Sequence, residues 1–223
     1  MKVVVKADIL GRNDAAAAEN AALFAQHGIY ALNLLGSPGA GKTSLLERTL
    51  QELAGDLRVA VVEGDLFTTK DAARIERCGA PVVQINTSGG CHLDAPMVKS
   101  ALSSIDLDSL DMLIIENVGN LVCPAEFELG QDKKAVVLAI TEGDDKPLKY
   151  PLMFKEADAA LLNKVDLLPY TDFDLESATD DIRTLHPGIE VMAIACRTGE
   201  GLAAWYDWLR AEIAAKKHRG GQQ

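Results

Sequence analysis

Short apolar runs alternating with longer stretches of helical spacing govern what this chain can fold into. The runs are residues 30–35, 59–63, 82–86, 112–116, 135–140, 159–162 and 191–195. Most are continuously hydrophobic, as strands buried on both faces are. Between them, residues 44–53, 69–78, 93–103, 174–185 and 202–216 carry helical patterning. Such alternation predicts βαβ units, and so an α/β fold: a mostly parallel, doubly wound sheet of about seven strands with helices on both faces. An Ala-rich stretch at 14–27, stopped near Gly28, predicts a helix in an N-terminal segment (1–29) that packs on the core. The main domain is expected over 30–216, followed by a disordered tail at 217–223 whose last residues, Gly220-Gly221-Gln222-Gln223, fray.

Charge narrows the function classes. Thirty-three acidic against 22 basic side chains give a formal net charge of −11 over 223 residues. A polyanion would be repelled unless a basic stripe were segregated, and the sole basic cluster is Lys216-Lys217-His218-Arg219, so no nucleic-acid partner is expected. No apolar run approaches the ~20 residues that span a bilayer, so no membrane role is expected. Residues 1–12 carry Lys2, Lys6, Asp8 and Arg12 and do not read as a signal peptide. Four widely spaced cysteines suggest a reducing, cytoplasmic compartment.

Ligands of open parallel sheets sit outside the carboxyl ends of the strands, so motifs that directly follow strands share one rim. Gly36-Ser37-Pro38-Gly39-Ala40-Gly41-Lys42-Thr43 matches G-x-x-x-x-G-K-[ST] between a strand and a helix that continues through Ser44. Its glycines let backbone N–H groups turn onto phosphate oxygens at a helix N-terminus. Lys42 is expected on the β- and γ-phosphates and the Thr43 hydroxyl on Mg²⁺. Asn163-Lys164-Val165-Asp166 follows the sixth run. An Asp carboxylate there accepts from guanine N1–H and N2–H₂, donors that adenine lacks, which favours GTP over ATP. Lys164 can cover the base, Asn163 can tie this loop to the phosphate loop, and Ala195-Cys196-Arg197-Thr198-Gly199 can offer amides to guanine O6.

Two more rim segments complete a phosphoryl-transfer site. Glu63-Gly64-Asp65 supplies Asp65 for Mg²⁺, and Glu116-Asn117-Val118-Gly119 supplies the Gly119 amide as γ-phosphate sensor, with Glu116 acting through a coordinated water. Asn120 stands where a water-orienting Gln is common, so turnover is expected to be slow, on the order of 10⁻⁴–10⁻² s⁻¹. On the same rim, Cys91-His92 and Cys123 could converge. Thiolate with imidazole suits Zn²⁺, Ni²⁺ or Cu⁺ and suits Mg²⁺ poorly. Three ligands leave a fourth position for another ligand or a second chain. Cys78 reads as structural, and His27, His186 and His218 as isolated.

With the phosphate loop, Glu63-Gly64-Asp65, Gly90-Cys91-His92-Leu93-Asp94, the segment from Glu116 to Cys123-Pro124, and Asn163-Lys164-Val165-Asp166 in this order, the chain closely resembles the HypB family. These are hydrogenase nickel-incorporation GTPases in the signal-recognition/Min-type (SIMIBI) branch of P-loop proteins. The resemblance spans roughly residues 14–215. It implies a GTP-hydrolysing metallochaperone that binds Ni²⁺ or Zn²⁺ through Cys91, His92 and Cys123 and helps deliver nickel to the large-subunit precursor of a [NiFe] hydrogenase. It also implies a GTP-favoured homodimer with the Cys/His loops at its interface, and a zinc-containing, HypA-like accessory partner. Residues 1–16 carry neither Cys nor His, so tight nickel storage there is not expected, and Ser88-Gly89-Gly90 replaces the common Gly-Lys-Gly, removing one positive charge. Three alternatives stay open: a urease-type nickel-delivery GTPase, whose Cys-Pro-His site differs from this pair; a nucleotide-gated metal-binding scaffold with little hydrolysis; and a P-loop kinase, which gives Asn163–Asp166 no purpose.

Overall fold

The computed structural model describes residues 6–65 and 70–220. In chain order the elements are α1 (Lys6–His27), β1 (Tyr30–Gly36), α2 (Lys42–Leu53), β2 (Val59–Asp65), α3 (Lys70–Glu76), β3 (Val82–Asn86), α4 (Ala95–Leu102) and β4 (Met112–Glu116). There follow β5 (Lys133–Ala139), α5 (Lys146–Lys149), α6 (Pro151–Glu156), β6 (Ala159–Asn163), α7 (Leu175–Leu185), β7 (Glu190–Ile194) and α8 (Leu202–Gly220). The strands form one seven-stranded sheet in the order β3-β2-β4-β1-β5-β6-β7. Every strand pair is parallel. This is the doubly wound α/β architecture of P-loop NTPases that the alternating runs predict.

Successive residues of each strand serve opposite layers. Leu32, Leu34, Val61, Ile114, Val137 and Leu161 pack under α2, α3 and α8 with Leu46, Trp205 and Leu209. On the other face, Ala31, Val62, Leu113 and Ile115 meet Phe24 of α1 and Val98 of α4, while Val136, Leu138 and Leu162 meet Phe154 and Ile182. β1 lies at the centre, hydrogen-bonded to β4 on one side and β5 on the other. The strand order reverses beside it, and a ligand crevice opens at its carboxyl end.

Boundaries differ from expectation where local chemistry decides them. The first helix begins at Lys6, not 14; only Gly11 interrupts its helix formers, at a cost of about 1 kcal/mol. The fourth helix starts at Ala95 because Asp94 is its N-cap, accepting the Met97 amide at 2.8 Å, with a proline in the first turn. β5 begins two residues early, at Lys133, followed by a buried Lys134 whose Nζ pairs with Glu128 at 2.6 Å. The last helix runs on through 217–220, where the sequence suggests a tail. Lys216 bonds Asp132 at 2.5 Å and Lys217 bonds Asp111 at 3.0 Å, which anchors that end to the sheet. The proposed helix start at residue 69 and the last tail residues, 221–223, lie outside the described residues. Among the described residues no helix is long and apolar enough to cross a membrane.

Candidate nucleotide and metal site

The phosphate loop leaves β1 through Gly36, whose φ of 145° places it where a Cβ would fall against Val137 O of β5. Gly39 and Gly41 also have positive φ, 79° and 103°. Lys42 and Thr43, the first residues of α2, are buried. Lys42 Nζ lies 3.2 Å from both Gly36 O and Ser37 O, at the mouth of the loop, and desolvation lowers its pKa. Ser37 Oγ donates to Glu142, a loop brace that no motif announces. Gly119 packs on the loop so closely that a Cβ would stand 2.9 Å from Pro38 N, and the Asn120 amide bonds Gly36 O at 3.0 Å. Ala40 is buried beneath the turn.

Beside Lys42, parallel register puts two acids side by side, since Glu63 of β2 is the direct partner of Glu116 of β4. Both are buried. Glu116 Oε1 accepts the Thr43 hydroxyl at 2.8 Å, while Glu116 Oε2 and Glu63 Oε2 are buried without a hydrogen-bond partner. Burial and then the neighbouring Glu116 charge push the Glu63 carboxyl up to about 8; burial pushes Glu116 up to about 7, against the pull of Lys42 and Thr43. Glu63, Asp65 and Asp71 bring carboxylate oxygens within 4.8 Å of one another. Sequence reasoning passed over Asp71, because it belongs to no motif and only α3 carries it back to β2. Arg74, one turn on, bonds Asp71, Glu47 and Ser44 and holds that helix to α2. This donor set, all hard oxygen with two orphaned buried atoms, fits a divalent cation such as Mg²⁺.

A cavity of ≈ 460 Å³ takes in the phosphate loop and these acids, and a second of ≈ 610 Å³ adjoins it at Gly41, Ser44 and Lys164. The second is bounded by Asp166, Leu167, Cys196 and Arg197. Asn163 knits it together. Its Nδ2 donates to Ala40 O at 2.9 Å, while its Oδ1 accepts the amides of Lys164 at 2.8 Å and Cys196 at 3.2 Å. Lys164 adopts left-handed backbone (φ 68°) and its Nζ donates to Gly39 O at 2.7 Å, so its stem crosses the cavity. The Cys196 amide is thereby committed to Asn163, the Ala195 amide to Glu200 O and the Gly199 amide to Ala195 O; of the remaining two residues of the segment, Arg197 lines the cavity. Arg48 fixes this loop from α2 through the carbonyls of Cys196 (2.9 Å) and Arg197 (3.0 Å), a contact the sequence does not signal.

On the same rim, Cys91, His92 and Cys123 bring ligand atoms within 4.8 Å of one another. A turn at Ser88 (φ 51°) and Gly89 (φ 94°), closed by the Gly90 amide on Thr87 O at 3.0 Å, delivers Cys91. Cys91 Sγ lies 3.5 Å from His92 Nδ1. The imidazole stacks on Phe127, with ring centroids 3.8 Å apart. Phe127 follows the short helical turn Cys123–Glu126, so one loop holds the ring of the other in place. Burial lowers the His92 pKa, keeping the ring neutral as metal ligation requires. A hydrogen bond with Cys91, and then burial, raises the pKa of the Cys123 thiol. Cys78, by contrast, donates to Arg74 O at 3.6 Å on its own helix. His27 pairs with Asp108, and His186 bonds Ala157 O.

The two sites touch. The Leu93 amide donates to Asn117 Oδ1 at 3.0 Å, and Asn117 sits between Glu116 and Gly119 in the chain. Leu93 also lies on Gly64, where a Cβ would stand 2.7 Å from Leu93 Cγ. Leu93, next to His92, therefore rests on both the Glu63–Asp65 and the Glu116–Gly119 segments.

Residues 30–193 match the family described as CobW/HypB/UreG, nucleotide-binding domain. Over 208 residues the chain is 53% identical to the hydrogenase maturation factor HypB of Azotobacter vinelandii, covering 93% of this chain and 69% of that one. The chain belongs to the HypB family. Against HypB of Escherichia coli K12 the identity is 50% over 211 residues, 95% of this chain and 73% of that protein. The crystal structure of HypB from Helicobacter pylori in complex with nickel superposes with a TM-score of 0.88 at 38% identity, covering 92% of this chain and 97% of that one. HypB from Archaeoglobus fulgidus gives 0.86 at 35%, covering 92% and 100%. The chain is thus a hydrogenase maturation factor of the HypB kind, with the nucleotide-binding domain of its family.

Proposed function

We propose that the chain hydrolyses GTP slowly and uses the nucleotide state to time the binding and release of Ni²⁺, with Zn²⁺ as a competing ion, during [NiFe] hydrogenase maturation. The observation that carries this reading is the convergence of Cys91, His92 and Cys123 beside a phosphate cavity, with Leu93 bonded to Asn117. Asp166 accepts the two guanine donors, and the Arg197 amide meets O6. The loop amides from Gly36 to Ser44 cradle the phosphates, and Lys42 neutralises the β- and γ-oxygens. Thr43 and Asp65, with the orphaned oxygens of Glu63 and Glu116 beside them, would hold Mg²⁺, which would supply charge neutralisation at the phosphates. A water attacks the γ-phosphorus as the bond to the β–γ bridging oxygen breaks, giving GDP and phosphate. Without a Gln after Gly119 that water is poorly oriented, which keeps turnover slow.

Loss of the γ-phosphate frees the Gly119 amide, shifts Asn117 and Leu93, and so alters the geometry of Cys91 and His92 relative to Cys123. A GTP-favoured homodimer would close the metal shell across the interface. Exposed Val122, next to Cys123, supports burial of that loop by a second copy. A zinc-containing HypA-like protein and the hydrogenase large-subunit precursor are the partners for transfer in the cytoplasm. Nickel titration in GDP and in a non-hydrolysable GTP analogue, followed by native mass measurement, tests the whole reading. The expected result is one nickel per Cys91/His92/Cys123 set, with affinity and dimer fraction that differ between nucleotides. Equal affinity and equal mass in both would overturn the gating.

A further inference from the structure

Two asparagines of α1 are buried where a helix packing on a core would carry apolar residues: Asn13 is 3% exposed and Asn20 fully buried. Seven residues apart, they lie on one helix face. Asn13 Oδ1 accepts the Ala95 amide at 2.9 Å, and its Nδ2 donates to Glu128 O at 2.8 Å. Asn20 Nδ2 donates to Ala95 O and to Leu129 O, both at 3.0 Å. Each side chain therefore bridges the same two segments. Ala95 opens α4, three residues past His92. Glu128 and Leu129 directly follow Phe127, whose ring stacks on His92, and lie five and six residues past Cys123. Gly130 (φ 91°) lets this second segment press onto the helix, since a Cβ there would stand 2.6 Å from Ala17 O and 2.7 Å from Ala21 N.

We propose that α1 is the brace that sets the spacing between the Cys91–His92 loop and the Cys123 loop, with Asn13 and Asn20 as positioning residues of the metal site. The proposal rests on the assignment of those three residues as metal ligands. Ligands drawn from two separate loops bind tightly when their spacing is fixed beforehand, because the ordering cost is then met in folding and not at capture. If the asparagines did no more than satisfy buried loop amides and carbonyls, they would stabilise the fold without governing how far apart the sulfurs stand.

The distance between the sulfurs can be read without metal. In the full, metal-free chain equilibrated in glutathione buffers, the effective molarity of the Cys91–Cys123 pair is measured by mass spectrometry of the linked peptides. Asn13→Ala and Asn20→Ala are each expected to lower it about ten-fold, with a comparable fall in Ni²⁺ and Zn²⁺ affinity and GDP affinity within about two-fold of the parent. Leu209→Ala, at a buried position of α8 in the opposite layer, serves as the control of similar instability and should leave the effective molarity unchanged. Should an alanine variant not fold, the serine variant at the same position carries the measurement. Asparagine variants that melt earlier yet keep the parent's effective molarity would overturn the brace. A lowered effective molarity in a protein whose parent binds neither metal would overturn the ligand assignment and leave the brace as a device that spaces two thiols.

Discussion

Asn163→Ala tests how far one side chain holds the nucleotide cavity together. Asn163 is buried and makes three hydrogen bonds, to Ala40 O, to the Lys164 amide and to the Cys196 amide. At about 1 kcal/mol net each, and with all three partners left in a site that excludes most water, the loss should reach roughly 3 kcal/mol. For a domain of this size that corresponds to a fall of about 6–12 °C in Tm. Asn163→Asp keeps the acceptor for both amides and loses only the donor to Ala40 O, so it should cost about 1–2 kcal/mol. Urea unfolding of the nucleotide-free protein gives both numbers, provided the m-values stay equal. GDP affinity should fall at least about ten-fold in the alanine variant, because the phosphate loop and the base loop lose their shared tie. A loss below about 1 kcal/mol, or equal losses for Ala and Asp, would refute the reasoning that the three contacts act together.

Asp166→Asn should lower GTP affinity by more than about 100-fold and favour xanthosine triphosphate, whose O2 accepts from the new amide; competition binding with both nucleotides reads this. Cys91→Ser with Cys123→Ser should abolish stoichiometric nickel while leaving GDP affinity within about two-fold, and equal nickel stoichiometry with the parent would remove the site. Burial holds Glu63 near 8 and Glu116 near 7, both above their ordinary 4.5, so a cation that needs them ionised must expel their protons. Calorimetry in buffers of different ionisation enthalpy should show roughly one proton released per Mg²⁺–GDP bound at pH 7 and almost none at pH 9. The sign follows for affinity and stability alike. Mg²⁺–nucleotide affinity rises with pH through 7–8, whereas the stability these two acids give the ligand-free protein is full below about 4.5 and is lost as pH rises through 7–8.

Much of this was legible in the sequence because it rests on local chemistry. Apolar runs located all seven strands, and motifs directly after strands had to share a rim, which placed Lys42, Asp65, Cys91, Cys123 and Asp166 around one crevice. The misses depend on the assembled chain. Lys133 and Lys134 hid the start of β5, since only their pairing with Asp158 and Glu128 in the folded chain makes lysines acceptable there. Helices α5 and α6, four and six residues long, are too short to show periodicity, although Pro147 and Pro151 in their first turns were signals available to be read. Asp71, Arg48 and Phe127 belong to no motif and meet the site only through helix packing or a loop crossing. Asn117 did leave a trace, as an amide within a motif whose Glu116 and Gly119 had been given roles.

Leu93 seated on the bare backbone of Gly64 packs the strand that carries Glu63 and Asp65 directly against the loop that carries Cys91 and His92. The link is made by touching atoms and a single amide bond, with no charged group in the path. Added electrolyte weakens attraction between exposed ions but leaves such a joint unaltered. The ratio of nickel affinities in the two nucleotide states should therefore stay constant from dilute buffer to strong brine, even as each affinity drifts.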